Sequence, residues 1–230
     1  NTLRLGDLVS GVTGVVDYDG VSRTGVYQII PTIDLTFTAL NVRESAPVLD
    51  AGNLKVASLN VLNYFNGIDT GPDICGPIAE SDCRGANSDF EFERQKAKTV
   101  AAIVEMNADI VGLMEIENNG FGAGSAIADL VAAINTIMGA GTYSIVNPGA
   151  AIGTDAITVA FMFKPSVVSL AGAPQILDSS NSIFDEDGPL FVVERRNRPS
   201  LVQEFALLEN GETLVISVNH LKSKGSGCGA

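Results

Sequence analysis

Four polar side chains stand at the ends of apolar, strand-like runs of this sequence. Asn60 ends LKVASLN, Glu115 lies near the end of ADIVGLMEIE, Arg198 opens RNRPSLVQEF, and His220 ends LVISVNH. Strand ends are where α/β sheets present functional groups, so we expect these side chains to share one cleft. Amide and carboxylate oxygens suit a hard cation such as Mg²⁺, a guanidinium binds phosphate oxygens, and an imidazole transfers protons. The combination predicts a metal and phosphate site.

Each of these residues also has a structural interpretation. Asn at a strand end is commonly a turn residue, and Arg198, which precedes Pro199, is compatible with an ordinary surface position. His220 is the only histidine of the chain, and a lone histidine is more often structural than catalytic. The functional interpretation therefore depends on the four residues taken together.

Glu117 adds a second carboxylate close to Glu115. Two positions apart on an unbroken strand, the two side chains would lie on one face of the sheet. Paired carboxylates repel each other unless a cation lies between them. We therefore expect Glu117 to be a metal ligand together with Asn60 and Glu115, with an exposed strand end or a supporting position behind the metal ligands as the alternatives.

Composition limits the classes of partner. The formal charge of −13 argues against binding a nucleic-acid backbone by overall electrostatics, so a phosphate ligand needs a metal ion or a local basic patch. Such a patch is predicted from two short stretches that hold five of the fourteen basic residues, namely Arg195, Arg196, Arg198, Lys222 and Lys224. No run approaches eighteen apolar residues, which predicts no membrane span.

The cysteines indicate an oxidising environment. Cys75 and Cys83 are eight residues apart in a segment rich in Gly, Pro, Asp and Ser, where a local disulfide is geometrically easy. A zinc site is disfavoured because there is no second Cys pair and only one His. A disulfide favours an extracellular, secreted protein. Cys228 is left over, and we expect its partner to lie beyond residue 230.

The chain divides into an all-β part and an α/β part. Residues 1–45 contain β-branched runs broken by Gly and Asp-Gly, residues 46–53 are a polar linker, and from residue 54 strands alternate with helices.

A first helix is predicted after the capping box of Ser88 and Glu91. Its apolar face is expected at Ala97, Val100, Ala101 and Val104. A second helix, ending at Gly139, is expected to bury Ile127, Leu130, Val131, Ile134 and Ile137.

Five segments of the chain carry a family resemblance. In order they are KVASLNVLNYFNG, DFEFERQKAKTVAAIVEMNADIVGLMEIENNG, GTDAITVAFMFKPSVV, RNRPSLVQEF and VNHLKSKGSGCG. Together they resemble the first half of an endonuclease/exonuclease/phosphatase domain. The closest likeness is to secreted bacterial nucleases that have an oligonucleotide-binding barrel before that domain, and LRLGDLVSGVTGVVDYDG resembles the end of such a barrel.

The resemblance implies an α/β fold, a two-sheet sandwich flanked by helices, of which this chain holds the first half. It implies that Asn60 and Glu115 bind a divalent cation, Mg²⁺ first, with Mn²⁺ or Ca²⁺ as alternatives. Arg198 would contact the substrate phosphate, and His220 would bind the phosphate or assist the leaving group. Asp155, in GTDAI, lies near the position where relatives have an acidic residue facing the substrate.

We also expect Asn219 and Lys222 to contact the phosphate, beside Arg198. The family's later Asp-x-Asn motif and terminal Asp-His pair are not present in the sequence, so we expect this chain alone to be inactive. The predicted function is that of part of an extracellular, metal-dependent nuclease that hydrolyses phosphodiester bonds, of DNA rather than RNA. The alternatives are a phosphomonoesterase or phospholipase-like member of the same superfamily, and a catalytically incomplete fragment or non-enzymatic binding module.

Overall fold

The structure is a computed structural model that describes residues 3–19, 25–42, 49, 52–185, 188–191 and 197–223. The chain forms two compact units, Asn1–Ala51 and Gly52–Ala230. The strands of the first unit are β1 (Leu8–Val9), β2 (Gly14–Asp19), β3 (Val26–Pro31) and β4 (Phe37–Thr38). The second unit has helices α1 (Asp89–Met106) and α2 (Ala126–Met138), and strands β5 (Val56–Tyr64), β6 (Ile110–Glu117), β7 (Ser144–Ile145), β8 (Ile157–Phe163), β9 (Val168–Leu170), β10 (Gln175–Leu177), β11 (Phe184–Asp185), β12 (Gly188–Pro189), β13 (Ser200–Leu207) and β14 (Thr213–Val218).

The first unit is built from two short antiparallel pairs, β1 with β4 and β2 with β3. Asp7 ties its ends together, because its carboxylate accepts the backbone N–H groups of Leu40 and Asn41 at 3.1 Å each. These backbone donors lower the pKa of Asp7. The assignment of this segment to an oligonucleotide-binding barrel stays a prediction, and most of the predicted linker, 46–53, lies outside the described residues.

The second unit begins with a four-stranded sheet in the order β5-β6-β8-β7. Strands β5 and β6 are parallel and are joined through α1, as parallel neighbours must be joined by a crossover. Strand β8 runs antiparallel to β6, and all its side chains are buried. The continuous apolar runs of the sequence therefore form the central strands of this sheet.

Helix α1 starts where the capping box predicts. Ser88 is the N-cap, and its hydroxyl accepts the backbone N–H of Glu91 at 3.4 Å. The predicted apolar face is wrong in part, because Ala97 and Ala101 are exposed. The larger side chains decide which side of the helix is buried, and those of α1 are Phe92, Val100 and Ile103.

Helix α2 follows its prediction more closely. Four of the five expected apolar side chains are buried, and Ile137, in the last turn, is 63% exposed. Gly139 is the C-cap at a positive φ, a conformation that favours glycine. Of the helices described, neither is long and apolar enough to cross a membrane.

A second sheet packs against the first. Its strands follow the order β10-β13-β14, and β9 pairs with the other end of β13. Phe205 on β13 contacts Phe161 and Phe163 on β8, with ring centroids 5.6 and 5.9 Å apart. A Cβ on Gly112 of β6 would lie 2.7 Å from a methyl group of Val218 on β14, so the close approach of the sheets requires glycine there. The predicted α/β two-sheet sandwich is confirmed, with α1 and α2 packed on the first sheet.

Candidate functional site

The site begins at two bulges on neighbouring strands. The pairing of β5 with β6 shifts between Asn60 and Tyr64, and the pairing of β6 with β8 shifts around Glu115. Leu62, Asn63 and Glu115 have φ angles of 56°, 52° and 66°. Positive φ is costly for such side chains and persists only where the surrounding structure enforces it. A bulge also changes the direction of a side chain, so these strands present groups that regular strands would not.

Glu115 is the centre of the site. One carboxylate oxygen, Oε1, accepts a hydrogen bond from Asn60 Nδ2 at 2.8 Å and lies 3.5 Å from His220 Nε2. The other, Oε2, accepts the backbone N–H of Asn63 at 3.1 Å. The structure therefore brings Asn60, Glu115 and His220 together, as the sequence predicts.

Arg198 and Asp155 adjoin this group. Asp155 Oδ2 accepts from Arg198 Nε at 2.9 Å and lies 2.8 Å from Nη2, a charge-assisted pair with two donors. Arg84, which the sequence analysis missed, lies 3.0 Å from Asp155 Oδ1. Both oxygens of Asp155 are thus engaged by guanidinium groups, so this carboxylate acts on the site by holding two arginines.

His220 is held as a neutral ring. Its Nδ1 lies 3.5 Å from Arg198 Nη1, and since a guanidinium only donates hydrogen bonds, Nδ1 is the unprotonated nitrogen. The proton is then on Nε2, facing the carboxylate of Glu115. Burial and the positive charge of Arg198 lower the pKa of His220, against the opposing effect of Glu115 and Asp155. The 3.5 Å contact between His220 Nε2 and Glu115 Oε1 therefore joins a neutral imidazole and a carboxylate, and it is not an ion pair at neutral pH.

The side chain of Glu117 is not part of the group around Glu115. It is 3% exposed, and one of its carboxylate oxygens accepts the backbone N–H groups of Asn66 and Gly67 at 3.0 Å each. Burial raises the pKa of Glu117, while these backbone donors lower it. The expectation that Glu115 and Glu117 share one face is wrong, because the bulge at Glu115 interrupts the alternation of the strand. The structure places Glu117 as the support of a loop.

Asn118 fixes the segment that carries Asp155. It is fully buried, and its Nδ2 donates to the carbonyl oxygens of Ile152 and Asp155 at 2.9 Å each. Its Oδ1 accepts the backbone N–H of Ile152 at 3.1 Å. The sequence signal that could have identified Asn118 is an amide directly after an apolar strand. Its hydrogen-bond partners cannot be predicted locally, because they lie more than thirty residues away.

The two further residues predicted to contact phosphate have other surroundings. The amide of Asn219 exchanges hydrogen bonds of 3.3 Å with Ser217, and it makes none with Glu115, Arg198 or His220. The backbone N–H of Lys222 donates to Asn197 Oδ1 at 2.9 Å, which holds the chain after His220 against the residue before Arg198. The phosphate contacts of Asn219 and Lys222 stay predictions.

The predicted disulfide is confirmed, with a bond between Cys75 and Cys83. Both cysteines are buried, and the neighbouring Arg84 reaches Asp155 from this loop. The remaining cysteine, Cys228, lies outside the described residues, as do Arg195, Arg196 and Lys224 of the predicted basic patch.

The oxygen atoms that this site offers as metal ligands suit a hard cation. No three His, Cys, Asp or Glu side chains among the described residues are close enough to form a metal site by themselves. Mg²⁺, however, commonly uses one or two protein carboxylates and keeps several waters. Glu115 provides the carboxylate. Asn60 Oδ1 accepts the backbone N–H of Leu62 at 2.8 Å and has a second lone pair for a cation.

Comparison with known proteins gives matches among solved structures. No protein-family model and no curated protein matches the chain. An endonuclease/exonuclease/phosphatase family protein from Bacteroides thetaiotaomicron is 15% identical, with a TM-score of 0.41 over 71% of this chain and 49% of that one. An endonuclease/exonuclease/phosphatase from Beutenbergia cavernae is 16% identical, with a TM-score of 0.37 over 75% and 39%.

A third solved structure is ANGEL2, described as a 2',3'-cyclic phosphatase, at 16% identity and a TM-score of 0.45 over 74% of this chain and 41% of that one. In each of these three matches, this chain spans less than half of the other protein. The Bacteroides and Beutenbergia proteins bear the name of the endonuclease/exonuclease/phosphatase family, which is the family that the motifs of this sequence resemble.

Proposed function

We propose that this chain supplies metal-binding and phosphate-binding residues to an extracellular phosphodiesterase of the endonuclease/exonuclease/phosphatase type that hydrolyses DNA. The arrangement around Glu115 carries the proposal. A carboxylate in a positive-φ bulge contacts the amide of Asn60 and the neutral ring of His220, and a guanidinium adjoins that ring. These are the groups needed to bind a hard cation and a phosphate next to each other.

The residues have distinct roles in this proposal. Asn60 and Glu115 hold the divalent cation, Mg²⁺ first, with Mn²⁺ or Ca²⁺ as alternatives. When bound, the cation neutralises charge on the phosphate and polarises its oxygen. Arg198 gives two donors to Asp155, so its Nη1 side is the one that faces His220 and a phosphate oxygen. His220 carries its proton on Nε2, which lies 3.5 Å from Glu115 and makes no hydrogen bond to it, and donates from this nitrogen to the phosphate.

Two features support the finer parts of the proposal. The Cys75–Cys83 disulfide favours an oxidising compartment, which agrees with an extracellular enzyme. Arg84 and Arg198 place two guanidinium groups around one carboxylate in a chain of net charge −13, so the Asp155 side of the site has one more cation than anion. The choice of DNA rather than another phosphodiester depends on the motif resemblance.

Metal binding tests the core of the proposal. We expect the chain to bind Mn²⁺, followed by electron paramagnetic resonance, and expect Asn60→Leu to weaken that binding because a ligand oxygen is lost. An Asn147→Leu variant is the matched control, since the Asn147 side chain lies in an exposed turn and, among the described residues, its one hydrogen bond is accepted from the backbone N–H of Gly149. Equal Mn²⁺ affinity of the Asn60→Leu variant and the unaltered chain would contradict the proposed site.

Substrate comparison tests the finer part. The chain at single-turnover concentration is mixed with plasmid DNA, 4-nitrophenyl phosphate or phosphatidylcholine vesicles, with Mg²⁺ or with excess chelator. Cleavage of plasmid alone, only with the cation, supports the nuclease. Hydrolysis of the monoester or the lipid supports the corresponding alternative. Mn²⁺ binding without cleavage of any of the three supports the catalytically incomplete alternative, and full cleavage in chelator refutes the metal dependence.

A further inference from the structure

A cavity of about 410 Å³ borders the candidate site on the side of the β5 bulge. Asn63 and Arg84 line it, and both also belong to the site. The backbone N–H of Asn63 binds Glu115, and the guanidinium of Arg84 binds Asp155. The cavity and the candidate site are therefore neighbours that share two residues.

The cavity is positive in a strongly negative chain. Arg84, Arg94 and Lys98 contribute three cations to its lining, and Glu91 contributes one carboxylate. Glu91 is partly used at the start of α1, where it accepts the backbone N–H of Asn87 at 3.4 Å. With 27 acidic and 14 basic residues in the whole chain, this local excess of positive charge runs against the overall composition.

Two of the cations have no anionic partner. Arg94 and Lys98 are both exposed on α1, and within the part of the chain that the structure describes neither side chain forms an ion pair or a hydrogen bond. Residues four apart lie on the same side of a helix, and like charges at that spacing destabilise it. An anion that contacts both side chains would remove this repulsion.

We propose that this cavity binds a second phosphate group of the substrate, next to the phosphate at Arg198. The inference rests on the proposed function, because it takes the phosphodiester at the site as given. A small ester has one phosphate and cannot occupy both positions. A nucleotide chain has a phosphate at every residue, so Arg94 and Lys98 select an oligonucleotide over a small phosphate ester.

Salt-dependent binding tests this inference without cleavage. A fluorescein-labelled single-stranded DNA of twelve nucleotides is titrated with the chain in excess chelator, and anisotropy is measured from 25 to 200 mM KCl. Each phosphate neutralised contributes about 0.7 to the slope of log affinity against log salt for single strands. We expect the Arg94→Gln/Lys98→Gln variant to lower that slope by about 0.7 and to bind several-fold more weakly at 25 mM KCl.

A lysine outside the cavity provides the control. Lys55 is exposed, and among the described residues its ammonium group donates to one acceptor, the carbonyl oxygen of Met106 at 3.5 Å, so Lys55→Gln should leave the slope unchanged. An Arg94→Lys/Lys98→Arg variant, which keeps both charges, should also retain it. Arg84 is left intact in all variants because it contacts Asp155.

The outcomes separate this inference from the proposed function. An unchanged slope in the double glutamine variant, or no DNA binding by the unaltered chain, overturns the second phosphate position whatever the metal titration shows. If the chain does not bind Mn²⁺ but the salt slope still depends on Arg94 and Lys98, the proposed metal site is overturned. The second phosphate position in the cavity is then supported.

Discussion

The two ends of the β5–β6 strand pair carry polar clusters of different character. At the start of β6, Asp109 accepts the backbone N–H of Lys55 at 2.9 Å and pairs with the ammonium group of Lys164 at 3.1 Å. The same ammonium group donates to the carbonyl oxygen and Oδ1 of Asn107 at 3.0 and 2.7 Å. The strands are in regular register there. At the other end both strands bulge, and Glu115 takes hydrogen bonds from neutral donors.

The difference lies in charge balance and backbone geometry. The carboxylate of Asp109 is neutralised by a cation of the protein itself, so that cluster is complete and stabilises the fold. The carboxylate of Glu115 faces an amide, a backbone N–H and a neutral imidazole, and its residue has a φ of 66°. A negative charge without a paired cation, held in an unfavourable backbone conformation, indicates a ligand site.

The largest expected effect follows from replacing the unpaired carboxylate. We expect Glu115→Gln to lower the affinity for Mn²⁺ about hundredfold, since even the hydrogen-bond partners of a metal ligand contribute 10- to 100-fold. The free energy of unfolding should change by less than about 1 kcal/mol, because the side chain is part-exposed and its partners are neutral. Mn²⁺ titration and urea unfolding of the same variant measure the two quantities. A large loss of stability with intact Mn²⁺ binding would reverse the assignment of the two ends.

The matching change at the other end is Asp109→Asn. It leaves the ammonium group of Lys164, which is 13% exposed, without a carboxylate partner. Losing one member of a partly buried pair should lower the free energy of unfolding by about 2 kcal/mol. Urea unfolding checks this value. Mn²⁺ affinity should stay at that of the unaltered chain, and a fall in it would show that this cluster also serves the metal site.

Local signals in the sequence predicted the elements on which these clusters lie. The capping box at Ser88 and the glycine at position 139 act through the nearest backbone groups, so they fix helix ends without knowledge of the fold. The apolar runs before Asn60 and His220 likewise identify their strands. Because β5 and β6 are neighbours in the first sheet and β14 belongs to the sheet packed against it, Asn60, Glu115 and His220 meet at the ends of these strands.

The features of the site that the sequence does not predict depend on contacts between distant segments. No local pattern announces the bulge at Glu115, since Glu has no preference for positive φ. Glu117 accepts hydrogen bonds from backbone N–H groups about fifty residues earlier in the chain, and Arg84 meets Asp155 across about seventy residues. Ala97 and Ala101 match the helical period, but Phe92 and Ile103 bury more apolar surface and therefore decide which face of α1 packs against the sheet.

A smaller effect is expected from a residue that supports the bulge. Gln95 on α1 donates from Nε2 to the carbonyl oxygens of Leu62, Asn63 and Val61 at 2.8, 3.3 and 3.5 Å. It is a positioning residue, because Asn63 in turn binds Glu115. Gln95→Met should lower Mn²⁺ affinity about tenfold and the free energy of unfolding by about 1 kcal/mol.

The control for this variant is Gln175→Met. Gln175 is exposed on β10 and donates to the nearby carbonyl oxygen of Ala173 at 3.3 Å, so the same substitution there should alter neither quantity. The Mn²⁺ resonance spectrum at saturation should also broaden in Gln95→Met alone, because the ligand geometry is looser. Loss of stability in Gln95→Met without any change in affinity or spectrum would make Gln95 a purely structural residue.

An effect confined to alkaline pH is expected at the Asp109 end. Burial and the charge of Asp109 raise the pKa of Tyr143 to about 12, and its hydroxyl donates to the carbonyl oxygen of Ala108. An unfolded tyrosine loses its proton near its ordinary pKa of about 10. Between pH 10 and pH 12 the unfolded chain therefore binds fewer protons than the folded chain. The stability that Tyr143 contributes falls as pH rises through this range. Below pH 10 that contribution is complete. Urea unfolding from pH 9 to 12 should therefore show a shallower loss for Tyr143→Phe than for the unaltered chain. Glu115→Gln, which leaves Tyr143, Ala108 and Asp109 unchanged, should keep the original slope, and a shallower slope in that variant would show that the two ends are electrostatically coupled.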